Sequence, residues 1–72
     1  MEQQDLERIA RLALRELGAG DGVLSITPAE GHPDSWRLAL GGPMPLTMTI
    51  RAGRGTTPQF VRAQIFEQFN AR

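Results

Sequence analysis

The hydrophobic and polar positions near the start of the chain repeat with the period of an α-helix. Over residues 5–18 the apolar side chains form one broad stripe, made up of Leu6, Ile9, Ala10, Ala13, Leu14 and Leu17. Arg8, Arg11 and Arg15 fall together on the opposite face. This pattern predicts an amphipathic helix. Gly18 is a natural end for it, because glycine readily takes the left-handed conformation that follows a last helical turn.

Three segments in the middle of the chain alternate between apolar and polar residues with a period of two. They cover residues 23–28, 35–41 and 46–52. Such alternation is typical of antiparallel strands that have one face on a core and one in water. The two connections are a polar loop and a Gly-Gly-Pro turn, both too short for the crossovers that parallel strands require. We therefore predict a three-stranded antiparallel meander.

The end of the chain carries the signals of a second helix, over residues 58–70. Thr57 is a suitable N-cap, and Pro58 suits the first helical position because no N–H is needed there. The order is therefore α-β-β-β-α within one domain, residues 1–72. Both helices must cover the single apolar face of the sheet. The fold class that follows is α+β, in two layers, with both helices on one face and the other sheet face open.

Composition restricts the class of protein further. The chain has 72 residues and no cysteine, which excludes disulfides and thiolate metal sites. Its apolar runs are too short to span a membrane, and its first residues are polar and acidic, unlike a secretory signal. We expect a cytoplasmic protein with no membrane partner. A core this small favours self-association, for which the apolar residues off the core faces are Leu12, Met44 and Phe60.

Charge is balanced over the whole chain but divided along it. Eight arginines and eight acids give a net charge of zero, whereas residues 1–36 carry −4 and residues 37–72 carry +4. A neutral chain argues against strong nonspecific binding of nucleic acid, and the basic second half leaves room for a local basic patch. Within the first helix, Asp5 with Arg8 and Glu7 with Arg11 have the spacing of helical ion pairs.

Few residues have the chemistry of a catalytic or metal site. The single histidine, His32, lies in a loop between Glu30 and Asp34, and one imidazole with two loop carboxylates is a weak ligand set. The remaining acids are scattered, and there is no tyrosine or cysteine. We expect no catalytic residues, no metal and no cofactor, and a small enzyme is the least favoured interpretation.

Two surfaces have the composition of binding sites. In the connection to the last helix, main-chain N–H groups, two hydroxyls and one cation could bind an anion; its residues are Gly53, Arg54, Gly55, Thr56 and Thr57. The open sheet face carries arginine and threonine, namely Arg37, Thr47, Thr49 and Arg51, beside Ser25 and Thr27. For each surface the alternative is an ordinary solvated turn or sheet face.

Topology and several short motifs resemble the double-stranded RNA-binding domain. That family has a Gly-Pro-x-His loop between its first two strands, where this chain has Gly31-His32-Pro33, and an aromatic residue at the start of its second strand, where Trp36 stands. Its third strand leads through a Gly-x-Gly-x-Ser run, here residues 53–57, into a helix opening Lys-Lys-x-Ala-Lys. Only Arg62 keeps a cation at those lysine positions. The resemblance implies RNA contacts, with a weakened phosphate-contacting set, from Arg8, Arg11, Arg15, His32, Arg54 and Arg62.

The favoured interpretation is a small non-catalytic interaction module that binds a protein partner or a second copy of itself. The alternative is an RNA-binding domain of the kind just described.

Overall fold

The structure, a computed structural model, describes residues 2–43 and 45–71 and has the predicted element order. It contains α1 (Gln3–Glu16), β1 (Val23–Pro28), β2 (Ser35–Gly41), β3 (Leu46–Arg51) and α2 (Pro58–Asn70). The strands form one antiparallel sheet in the order β1-β2-β3. The α+β class and the α-β-β-β-α order are thus confirmed. Met44, predicted as a contact for self-association, lies outside the described residues.

Both ends of α1 fall two residues earlier than predicted, and local hydrogen bonds explain why. At the start, the Glu2 N–H donates to Asp5 Oδ2 at 3.3 Å, so the first turn forms before Asp5. At the end, Gly18 has a φ of 81°. The Gly18 N–H donates to the Arg15 carbonyl (3.1 Å) and the Ala19 N–H to the Leu14 carbonyl (2.8 Å). These two bonds form a Schellman motif, which places the last helical residue at Glu16.

The register of the sheet aligns its apolar residues on one face. Leu38 in the central strand lies opposite Ile26 of β1 and Met48 of β3, and Leu40 lies opposite Leu46. These side chains are buried, whereas their neighbours along each strand are mostly exposed. α1 packs on β1, α2 packs on β3, and the two helices contact each other. The core therefore lies between one sheet face and both helices, as predicted.

Glutamine side chains cover part of each outer edge of the sheet. The Gln64 amide oxygen accepts the Arg51 N–H and its nitrogen donates to the Arg51 carbonyl, both at 2.8 Å. Gln68 donates to the Thr49 carbonyl at 2.8 Å. On the other edge, Gln3 of α1 donates to the Ile26 carbonyl at 2.6 Å. An exposed strand edge otherwise presents unpaired main-chain groups to other chains, so these contacts limit unwanted strand pairing.

Replacing Gln64 with alanine should lower the free energy of unfolding by about 1–2 kcal/mol, because it removes two main-chain hydrogen bonds from the β3 edge. Urea unfolding followed by circular dichroism measures this loss. Gln59→Ala is the matched control, since Gln59 is exposed in the first turn of the same helix. Equal unfolding midpoints for the two variants would show that the Gln64 contacts contribute nothing.

Candidate binding surfaces

The open sheet face is exposed and basic. Arg37 lies opposite Thr27 of β1 and Thr49 of β3, and Arg51 is two residues beyond Thr49 on the same face. All four side chains are exposed. Arg37 and Arg51 are therefore diagonal neighbours, for which Cα atoms are about 7–8 Å apart. Their guanidinium groups can reach one ligand together.

No acidic side chain shares this face within the three strands. Its members are Val23, Ser25, Thr27, Ser35, Arg37, Ala39, Thr47, Thr49 and Arg51. Neither arginine forms an ion pair with any residue that the structure describes. The face therefore carries two available cations among small hydroxyl-bearing side chains.

The connection between β3 and α2 is organised by its own threonines. Thr57 Oγ1 caps α2 by accepting the Phe60 N–H at 3.2 Å, as predicted. Thr56 Oγ1 accepts the Gly53 N–H at 2.8 Å, and the Thr56 N–H donates to the Gly53 carbonyl at 3.2 Å. Both hydroxyl oxygens are thus occupied as acceptors inside the turn. The main-chain N–H groups of Gly53 and Thr56, which the sequence suggested as donors to an anion, are therefore used in hydrogen bonds within the turn.

The loop between β1 and β2 is fixed beside this turn. The Ala52 N–H donates to the Asp34 carbonyl at 2.9 Å, and Trp36 Nε1 donates to the Ala52 carbonyl at 2.9 Å. The Asp34 carboxylate lies against Gly53, where an added Cβ would be 2.8 Å from Oδ1. The residues around His32 therefore adjoin residues 53–57. Two of the segments predicted to contact RNA are neighbours in the fold.

The first helix contributes a third segment to the same end of the molecule. A cleft between α1 and the start of α2 is lined by Asp5, Arg8, Ile9, Thr56 and Pro58. Arg8 therefore lies beside the turn that contains Arg54. Asp5, which the helical spacing suggested as an ion-pair partner of Arg8, accepts the N–H of Glu2.

Two of the candidate cations are already neutralised by acids. Arg11 pairs with Glu7 at 3.1 Å, which confirms the predicted helical pair. Arg62 pairs with Glu16 across the two helices, and its guanidinium carbon lies 4.5 Å from the centre of the Phe66 ring. By contrast, no ion pair to Arg8, Arg15 or Arg54 occurs in residues 2–43 and 45–71. An anionic ligand would meet these three arginines without displacing an acid.

His32 takes part in a main-chain turn. Its N–H donates to the Ala29 carbonyl at 3.4 Å, and its carbonyl accepts the Ser35 N–H at 3.1 Å. Among the described residues, no three His, Asp or Glu side chains come close enough together to hold a metal ion.

The residues predicted for self-association, Leu12 and Phe60, are both more than half exposed on α1 and α2.

No protein-family model, curated protein or solved structure matches the chain significantly. The resemblance to the double-stranded RNA-binding domain therefore stays a prediction. In the part of the chain that the structure describes, neither helix is long and apolar enough to cross a membrane.

Proposed function

We propose that the protein is a small non-catalytic interaction module whose open sheet face binds an acidic segment of a partner protein. The observation that carries this proposal is the pair Arg37 and Arg51, exposed on a face to which the three strands contribute no acidic side chain. A guanidinium group can donate two parallel hydrogen bonds to one carboxylate, and neighbouring threonine hydroxyls add further donors. An exposed sheet face offers its side chains to an extended segment, whereas small molecules are usually bound in enclosed clefts.

The experiment is a titration of the protein against a fluorescein-labelled peptide of alternating glutamate and serine, followed by anisotropy. Binding should weaken as salt rises, because exposed charges are screened. Changing Arg37→Gln and Arg51→Gln together should reduce affinity about fivefold to tenfold, since each exposed pair contributes only modestly.

Arg15→Gln is the matched control for this titration. Arg15 is exposed on α1, in the other layer of the fold, and its replacement removes the same kind of charge. It should leave the affinity nearly unchanged. If Arg15→Gln lowers the affinity as much per charge as the double variant, attraction is nonspecific and the sheet face is not the site.

RNA binding is a second candidate, favoured by the meeting of three segments at one end of the molecule. Arg8 adjoins the start of α2, and the His32 loop is hydrogen-bonded beside residues 53–57. On this proposal Arg8 and Arg54 contact phosphates, whereas Arg11 and Arg62 contribute less because each is paired with an acid. The same anisotropy assay with a short RNA duplex separates the candidates: absence of binding at low salt removes the second.

A further inference from the structure

The outer edge of β1 has main-chain groups that point away from the sheet. The Ala29 N–H donates to the Ser35 carbonyl at 2.9 Å, which continues the ladder in which odd-numbered residues of β1 bond to β2. Leu24 and Ile26 then direct their N–H and C=O groups outward, because successive residues of an antiparallel strand bond to opposite sides. The bond from Gln3 to the outward Ile26 carbonyl agrees with this orientation.

This edge receives one side-chain hydrogen bond from a helix, whereas the edge of β3 receives three. Gln3 occupies one lone pair of the Ile26 carbonyl, and Pro28 has no N–H. The N–H and C=O of Leu24 and the N–H of Ile26 have no partner among the residues that the structure describes. β1 also has no charged side chain, although edge strands commonly carry one to prevent pairing. Its first residue, Val23, is 79% exposed.

We propose that β1 pairs antiparallel with β1 of a second copy, about a two-fold axis at Ser25, to form a continuous six-stranded sheet. In this register Leu24 of each copy exchanges main-chain hydrogen bonds with Ile26 of the other. The Ile26 carbonyl keeps its bond to Gln3, because a carbonyl oxygen has a second lone pair. The axis through Ser25 gives nearly the longest overlap that the six residues of β1 allow.

Side-chain chemistry favours a second copy as the occupant of this edge. In the proposed register, exposed Val23 lies opposite Thr27 of the second copy, a pair of β-branched side chains suited to neighbouring strands. Ser25 lies opposite Ser25 of the second copy, so no like charges meet. An isologous contact of this kind closes after two copies and leaves no further β1 edge free. The inference does not depend on what binds the open sheet face.

The first test is the oligomeric state of the full chain by sedimentation equilibrium, from micromolar to millimolar concentration. We expect a monomer–dimer equilibrium. Ser25→Lys places two cations opposite each other across the axis and should weaken self-association at least about tenfold. Thr47→Lys is the matched control, since Thr47 is exposed on the same sheet face but belongs to β3, and should leave the equilibrium unchanged. A monomer throughout, or equal effects of the two variants, would overturn the proposal.

A charge-swap experiment tests the register. Ser25→Lys and Ser25→Glu should each be largely monomeric, whereas an equimolar mixture should dimerise, because opposite charges then meet at the axis. Amide hydrogen exchange gives a second readout: exchange at Leu24 and Ile26 should slow as concentration rises, and exchange at Thr47 should not. No association in the mixture, together with exchange at Leu24 that is independent of concentration, would contradict pairing through β1.

Discussion

Replacing Leu38 with alanine is expected to destabilise the protein by about 2–5 kcal/mol, the usual cost of truncating a buried leucine. Leu38 is 0% exposed in the central strand, between Ile26 and Met48. The strand register holds the backbones of the neighbours on both sides, which limits how far they can move into the cavity. Natural domains have a total stability of about 5–15 kcal/mol, with small ones near the lower end. The variant should therefore be partly unfolded at room temperature, which urea titration followed by Trp36 fluorescence can measure.

Leu12→Ala is the control that makes this result informative. The same three carbon atoms are removed, but from a side chain that is 54% exposed on α1. Its effect should stay within about 0.5 kcal/mol, partly because alanine has the higher helix propensity. If the two substitutions were equally costly, the one-sided core would be the wrong description of this fold.

The core could be predicted from the sequence because periodicity alone determines which side chains share a face. In β3, strict alternation assigned Leu46, Met48 and Ile50 to the core, and all three are buried. Alternation in three strands leaves one apolar sheet face, and the two helices must therefore cover the sheet from that side. The open face with Arg37 and Arg51 follows from the same alternation, so this candidate surface was also predictable.

The partners of individual side chains could not be predicted in the same way. The Glu7–Arg11 pair follows from helical spacing, but Arg62 meets Glu16, 46 residues away in the sequence, only after both helices pack. Gln64 likewise reaches Arg51 because α2 lies along β3. No local pattern identifies the partner of Arg62 or of Gln64. The one available signal was the helical spacing of Gln64 and Gln68 beside the apolar stripe of α2, which places both amides along one flank.

The difference between contacts that local spacing predicts and contacts that depend on helix packing matters for the RNA-binding candidate. The resemblance assigned phosphate contacts to Arg8, Arg54 and Arg62 alike. In the structure Arg62 is paired with Glu16, whereas Arg8 and Arg54 form no ion pair with the described residues. Phosphate binding depends on cations that release counterions, and a cation that must first leave an acid contributes less. Packing between α1 and α2 thus weakens the RNA candidate at a position where the motif alone appeared favourable.

Gly22→Ala should be about as damaging as the loss of a core side chain, at about 3 kcal/mol, the upper end of the usual cost of overpacking. An added Cβ would lie 2.0 Å from the carbonyl oxygen of Gly41 and 2.8 Å from Leu40 Cδ1. The first of these is a main-chain atom, and Gly41 is held in register opposite Val23. Relief of the clash therefore requires the start of β1 to separate from β2. Urea unfolding should show a much lower midpoint than for the natural sequence.

Gly41→Ala provides the control for that measurement, on the facing strand. An added Cβ at Gly41 meets no atom within 4 Å, and Gly41 is not among the glycines with positive φ. Alanine also reduces the freedom of the unfolded chain, so the effect should be neutral or slightly stabilising, within about 0.5 kcal/mol. Of the two glycines, only Gly22 has a Cβ position that lies against a neighbouring backbone. A Gly22→Ala variant as stable as Gly41→Ala would mean that β1 and β2 do not approach each other there as closely as the structure indicates.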